Sequence, residues 1–288
     1  MAKNRLRNID EIVTQAGTVV DLDNIYSLSS ISHTNGTVTT VGSDTVITFT
    51  VDGFLTVQGS VEIRYLVVGG GGAGGFDVGG GGGAGGYLAG DNYTISSGIH
   101  AITIGNGGVA LSVNTTQNGL SGGNSSIGSL LIAYGGGGGG HWSSANGYHN
   151  GLDGGSGGGG GGWQQTSSGG DPHGSQGSAG GDNTASALWT SGAGGGGAGG
   201  AGGNSNISAI ASAGIGLPND ITGTSVTYAT GGRGGEENTG GMVSGAANTG
   251  NGGDGAGNNQ NPGAGTHAGW HGGSGIVIVR FPSIYFAS

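Results

Sequence analysis

The chain has 288 residues, with six Lys and Arg against sixteen Asp and Glu, a formal net charge of −10, no cysteine and 79 glycines. A nucleic-acid binder needs cations to replace the counterions along phosphates, and disulfides or thiolate metal sites need cysteine, so the composition excludes all three. Only five glycines precede Gly69; a conventional hydrophobic core is expected toward the front, and the rest of the chain must cohere by other means.

Three of the six basic residues fall within the first seven positions. No apolar stretch of signal-peptide or membrane-span length follows them, so no membrane insertion is expected. "RNIDEIVTQAG" sets Ile9, Ile12 and Val13 at helical spacing ahead of Gly17 and predicts a short helix or an extended arm over 1–17. Its apolar face is too small to stand alone, which makes Arg5, Arg7, Ile9, Ile12 and Val13 candidates for assembly contacts. Residues 18–68 alternate apolar and polar positions in short runs rich in Val, Ile, Thr, Phe and Tyr, and predict an antiparallel β module. Asn35-Gly36 and Asp52-Gly53 are hairpin dipeptides between those runs. Residues 69–274 are glycine blocks separated by short strand-like islands such as "YTISSGIHAITIGNGG" and "SSIGSLLIAYGGGGGG". The final segment, 275–288, holds "GIVIVRFP", striped like "VEIRYLVVGGGG" and expected to pair with it or lie adjacent as a closing strand.

A strand followed by glycines suggests a phosphate loop, but that motif needs a helix N-terminus after the glycines, and here glycine leads only to more glycine. A floppy linker is opposed by the regular apolar islands. The remaining arrangement is polyglycine II, an extended helix with three residues per turn that makes no internal hydrogen bonds and directs every N–H and C=O sideways. Neighbouring tracts exchange these bonds only where no Cβ intervenes, so glycine becomes a packing residue. The fold class expected is mainly β: an N-terminal antiparallel module and a β frame enclosing a bundle of polyglycine-II helices with long loops, and almost no α-helix.

"YLVVGGGGAGG", "ITIGNGG", "GNSSIGSLLIAYGGGGGG", "SGAGGGGAGGAGGN" and "GGSGIVIVRF", in that order, resemble the glycine-rich domain of bacteriophage tail-fibre and adhesin proteins over about residues 61–282. The resemblance implies a β frame holding a polyglycine bundle whose connecting loops bear receptor-binding residues. The partners it implies are a bacterial surface receptor, either an outer-membrane protein or a glycan, other virion proteins contacted through the N-terminal region, and sister chains in a homo-oligomer. The protein would then lie on the virion. A purely structural fibre or decoration subunit is the alternative.

Aromatic and His residues are sparse and cluster between glycine blocks. His141, Trp142, Tyr148 and His149 lie in one such stretch, Trp163 and Gln164 in another, and Trp189 in a third; these are the candidate receptor contacts, since a rigid ring beside hydrogen-bonding groups gives contact area at low entropy cost. The same rings could instead cover the sides of glycine helices. Trp270, close to the closing strand, reads as structural. No metal is expected: the His residues lack ligand spacing, and "GGDGAGNNQ" at 252–260 departs from the calcium nonapeptide at Gly257. Glu236 and Glu237 are adjacent in a glycine loop and point apart, and no nucleophile elbow stands out, so neither catalysis nor a cofactor is expected.

Overall fold

The computed structural model describes residues 11–13, 19–21, 29–111, 117–142, 149–162, 166–184, 191–206, 210–235, 242–257 and 268–287. The fold is mainly β: among these residues every pairing of named strands is antiparallel, and the helical content is one 3-10 turn, Ser283–Tyr285. At the N-terminus, β1 (Glu11–Val13) pairs with β2 (Val19–Asp21), setting Ile12 opposite Val20 and Val13 opposite Val19. The arm is therefore extended at Ile12 and Val13, since β-branched residues here find a β-branched partner strand rather than a helix face. Arg5, Arg7 and Ile9 lie outside the described residues.

Two five-stranded sheets form a sandwich. One has the order β11-β10-β9-β6-β3 and the other β4-β5-β14-β7-β8, with β3 Ser30–Thr34, β4 Thr37–Val41, β5 Asp44–Phe49, β6 Gly53–Gln58, β7 Val61–Val68, β8 Tyr87–Ile95, β9 Gly98–Thr103, β10 Ser125–Ile127, β11 Leu131–Ala133 and β14 Ile276–Pro282. The segment 18–68 is thus no separate module, because β6 pairs with β9 and β7 with β8, both from beyond residue 69. Asn35-Gly36 and Asp52-Gly53 are corners rather than hairpins: each carries the chain from one sheet to the other. They lie side by side, Asn35 Nδ2 donating to Asp52 O at 3.0 Å, and a Cβ on Gly53 would sit 2.3 Å from Thr34 O. The tight two-residue hairpin of this region is Gly42-Ser43, between β4 and β5, with Gly42 at φ 62°.

The closing strand pairs with β7 as its stripe suggested, Ile276 opposite Val68 and Val279 opposite Tyr65, and also with β5, Val279 opposite Ile47. Alternate residues Val277, Val279 and Phe281 face the other sheet together with Ile31, Leu55 and Ile102. Ile276 and Ile278 face the opposite way, into a second cluster with Leu66, Val68 and Ala84. That cluster also receives Ile221, Tyr228 and Ala229, in and around a hairpin of β12 (Leu217–Asn219) and β13 (Val226–Tyr228). Burial on both faces explains the unbroken apolar run of this strand, since only strands with one wet face need alternation.

Strands run straight into glycine tracts. β7 continues as 69–75, and 79–86 continues as β8, so the two form one long hairpin whose ladder goes on as Gly69 N–H to Gly86 O, Gly72 to Gly83 and Gly75 to Gly80. In the glycine part the bond to that partner recurs at every third residue, which is the period of polyglycine II. The remaining N–H groups of 69–75 complete the pattern: Gly70 and Ala73 donate to Gly123 and Leu120, and Gly71 and Gly74 to Gly273 and Trp270, all seven bonds being 2.8–3.0 Å. Its carbonyls accept from Gly136 and Gly139, from Gly108, and from Gly253 and Ala256. Tract 69–75 therefore has six neighbours, and 79–86 likewise bonds to six, which is hexagonal packing of rods.

Added Cβ atoms at Gly69, Gly72 and Gly75 would lie 2.2, 2.1 and 1.9 Å from carbonyl oxygens of tract 134–140. Ala84 is fully buried inside a tract, but it faces the apolar cluster that includes Ile221 and Tyr228, whereas a Cβ one turn away at Gly81 would sit 2.2 Å from Gly232 O. At the bundle's margins, where a tract lacks a neighbour, Asn and Asp side chains supply the missing acceptors. Asn118 Oδ1 accepts from His141 N–H, Asn124 from Gly135, Asn150 from Ser168, Asp153 from Asp171, Asp182 from Gly169 and Asn204 from Asp182, at 2.7–3.3 Å.

Candidate functional site

Register fixes which end of the bundle each tract reaches. The strand end is marked by Gly69 and Gly86, and the far end by the turn at 76–78 that joins the two central tracts. Asp77 and Val78 in this turn both have φ 47°, a left-handed pair that reverses the chain in two residues. The flanks of all seven interruptions in the described chain after residue 29, namely 111/117, 142/149, 162/166, 184/191, 206/210, 235/242 and 257/268, belong to the far end. Thus Gly140 O meets Gly80 N–H, Gly162 N–H meets Val78 O, Gly235 N–H meets Gly79 O and Ala256 O meets Gly79 N–H.

Neighbouring flanks are stitched to one another. Asn118 Nδ2 donates to Asn150 O at 2.8 Å, Gly161 N–H to His149 O at 2.7 Å, Ser167 Oγ to Gly161 O at 2.6 Å, Thr184 Oγ1 to Ser205 O at 3.4 Å and Ser191 Oγ to Asn206 O at 3.3 Å. The described contact candidates, His141, Trp142 and His149, consequently share one end of the bundle. Trp142 and His149 flank the 143–148 interruption; Tyr148, Trp163, Gln164 and Trp189 lie outside the described residues. Of the four tryptophans in the chain, the two described, Trp142 and Trp270, belong to neither hydrophobic cluster.

His141 is placed differently from the expectation. It is 2% exposed, its ring stacks on Phe76 with centroids 5.5 Å apart and planes 10° from parallel, and Trp142 packs beside it at 5.6 Å. Phe76 and Val78 are buried as well, so His141 belongs to an apolar plug over the turn of the two central tracts. Trp270 is the converse case: its main chain is woven into the lattice through Asp254 O and Gly74 N–H, yet its side is 42% exposed.

Two polar recesses lie along the side of the bundle, one beside the stitched flanks and one toward the strand end, where Tyr134 O accepts from Gly86 N–H. The outer one, about 480 Å³, is bounded by His149, Asn150, Thr166, Ser168, Asp182 and Thr184. The other, about 380 Å³, includes Asn124, Tyr134, Asp153, Asp171 and His173. The Tyr134 and His173 rings meet at 3.7 Å and 39°. Sequence reading singles out only His149 among these walls, although the spacing by threes of Asn118, Ser121 and Asn124, and of Asn150 and Asp153, marks one face of a three-residue helix.

The ion pairs are structural. Asp254, 4% exposed and the only acid of "GGDGAGNNQ", accepts from Arg233 Nη2 at 2.7 Å, from Arg233 Nε at 3.1 Å and from the N–H groups of Arg233 and Val243. Its carboxylate thus clamps three tracts. Arg64 pairs with Asp91 and Asp220, and its hydrogen bond holds the Asp220 carboxyl below the usual 3.8. Burial, then the neighbouring Tyr87, raises the Tyr228 hydroxyl above 10.0. No group of three or more metal-ligating side chains occurs among the described residues, and no helix among them is long and apolar enough to cross a membrane.

The chain matches the family model of the glycine-rich domain over residues 47–282, more than four fifths of its length, and belongs to that family. The match starts on β5 and ends with β14, the pair whose bonding closes the frame. Comparison with curated protein sequences gives no match.

Proposed function

We propose that this protein is a phage virion appendage, a non-enzymatic tail-fibre or adhesin component that presents the far-end stretches to a receptor on the bacterial surface. The observation that carries the reading is the convergence, on one end of a bundle held by main-chain bonds, of the flanks of seven tract-to-tract connections, among them Trp142 and Trp270. A lattice in which backbone binds backbone, with a few flanking side chains such as Asn118 and Ser167, fixes the roots of these connections, so the sequences between the roots can change at little cost to the fold. The opposite end, with the sandwich, is left for attachment to the particle or to sister chains.

The alternative, a purely structural fibre or decoration subunit, draws on the outer face of the β11-β10-β9-β6-β3 sheet. There Phe54, Ile99 and Ile132 are 50%, 72% and 36% exposed among Ser, Thr, Ala and Gln, with no charged residue on the face. Replacing Trp142 and Tyr148 together by Ala tests the primary reading: host adsorption falls while the melting temperature stays within a few degrees, and unchanged adsorption refutes the assignment. Immunogold labelling separates the two readings, a tip location supporting the adhesin and a periodic location along a body the structural subunit.

A further inference from the structure

The geometry points to a linear, neutral or amino-bearing oligosaccharide as the ligand, lying along the side of the bundle in a trough that joins the two polar recesses. This rests on the receptor-binding reading and narrows it. The recesses share their walls: Asn150 borders the outer one and Asp153 the inner one on one tract, as Ser168 and Asp171 do on the next. Three residues of polyglycine II separate the members of each pair, an offset of about 9 Å, close to the repeat of two linked sugar rings. The two tracts are locked side by side by Asn150 Oδ1 to Ser168 N–H at 2.9 Å and Asp153 Oδ1 to Asp171 N–H at 2.7 Å, so the spacing is rigid.

The chemistry of the walls selects the ligand. Asn150, Ser168, Asp153, Asp171 and Asp182 are exposed and offer amide, hydroxyl and carboxylate groups at regular intervals, the groups that accept from or donate to sugar hydroxyls. Tyr134 and His173 close the inner end with a ring pair against which a sugar face can rest. No Lys or Arg occurs between Arg64 and Arg233. The three carboxylates along the trough have no ion-pair partner among the described residues. An acidic polysaccharide would meet uncompensated negative charge here, whereas hydroxyls or an ammonium group would not. Both recesses fall in the volume range of small-ligand sites.

The test uses the full chain on an array printed with neutral, amino-bearing and acidic oligosaccharides of one to six residues, beside wild-type adsorption to host cells. Binding is expected to neutral or amino-bearing chains of three or more residues, and to weaken about tenfold on Asp171→Ala, and again on His173→Ala, as charged hydrogen bonds and a stacking ring are lost. Unchanged circular dichroism and melting keep these variants interpretable, and Asp171→Asn, which retains an acceptor, recovers part of the affinity. Capture of acidic glycans only, no capture at all, or capture indifferent to these variants overturns the trough. If adsorption nevertheless depends on Trp142 and Tyr148, the display reading stands alone; if the protein does not bind cells at all, that reading fails first.

Discussion

Replacing Gly195 by Ala is the most direct trial of the lattice. An ideal Cβ at this position lies 2.0 Å from Gly82 O and 2.4 Å from Gly82 C, where contacts under 3.0 Å do not occur. Tract 191–197 must therefore retreat from tract 79–86 by about 1 Å. The bonds between the two are Gly81 N–H to Ala193 O and Ala84 N–H to Gly196 O, both 2.9 Å. A retreat of that size takes them past hydrogen-bonding range and leaves buried amides unpaired, at about 1–3 kcal/mol each, so the expected loss is about 2–6 kcal/mol. For a chain of this size that is a fall in melting temperature of about 3–10 °C, read by circular dichroism or tryptophan fluorescence. Gly200→Ala is the control. Its nearest atom is Ile215 Cγ1 at 3.1 Å, on a side chain 66% exposed, so the ring of neighbours can yield and the change stays within about 1 kcal/mol. If both variants melt with the wild type, close main-chain packing is not what holds the bundle.

Asp254→Ala removes the acceptor shared by Arg233 and Val243 and should cost about 3 kcal/mol, at the lower end for a broken buried pair because Arg233 is partly exposed; Asp254→Asn should cost clearly less, both read by denaturant titration. His141→Ala opens a cavity against Phe76 and should cost about 2 kcal/mol by the same titration, a loss that a freely exposed receptor contact would not show. Because the Tyr228 hydroxyl is raised in the folded protein, its contribution is full below pH 10.0 and is lost as pH rises through its higher folded value. Tyr228→Phe should therefore flatten the fall in melting temperature above pH 10, and an unaltered alkaline limb would contradict the assignment.

Several parts of this architecture were legible in the residues. The island order and the pairing stripe of "VEIRYLVV" and "GIVIVRF" gave the closing strand, because adjacent strands of a doubly covered sheet share a continuous apolar run. Glycine as a packing residue was legible too, since no other side chain permits main chains so close. The spacing of Ile9, Ile12 and Val13, by contrast, leaves a short helix and an extended arm both open, and the strand pairing of Ile12 and Val13 decides for the extended form, because three apolar residues in a short segment suit a helix and a strand equally until a partner strand is present. Asn35-Gly36 and Asp52-Gly53 showed where the chain turns, but a dipeptide does not reveal whether the next strand joins the same sheet or crosses to the other.

The candidate site divides in the same way. Trp142, Tyr148, Trp163 and Trp189 drew notice as rare rings between glycine blocks, a property of composition. His141 drew the same notice, and only its stack on Phe76, 65 positions earlier, reveals it as part of a plug. The residues themselves determine that this chain must be held by backbone bonds, because 79 glycines supply neither apolar area nor side-chain donors. Which tract lies beside which, and hence which connections share an end and which Asn and Asp line one trough, is decided only in three dimensions. Glycine tracts are chemically interchangeable, so their neighbours are chosen by the length and register of the strands and turns that join them.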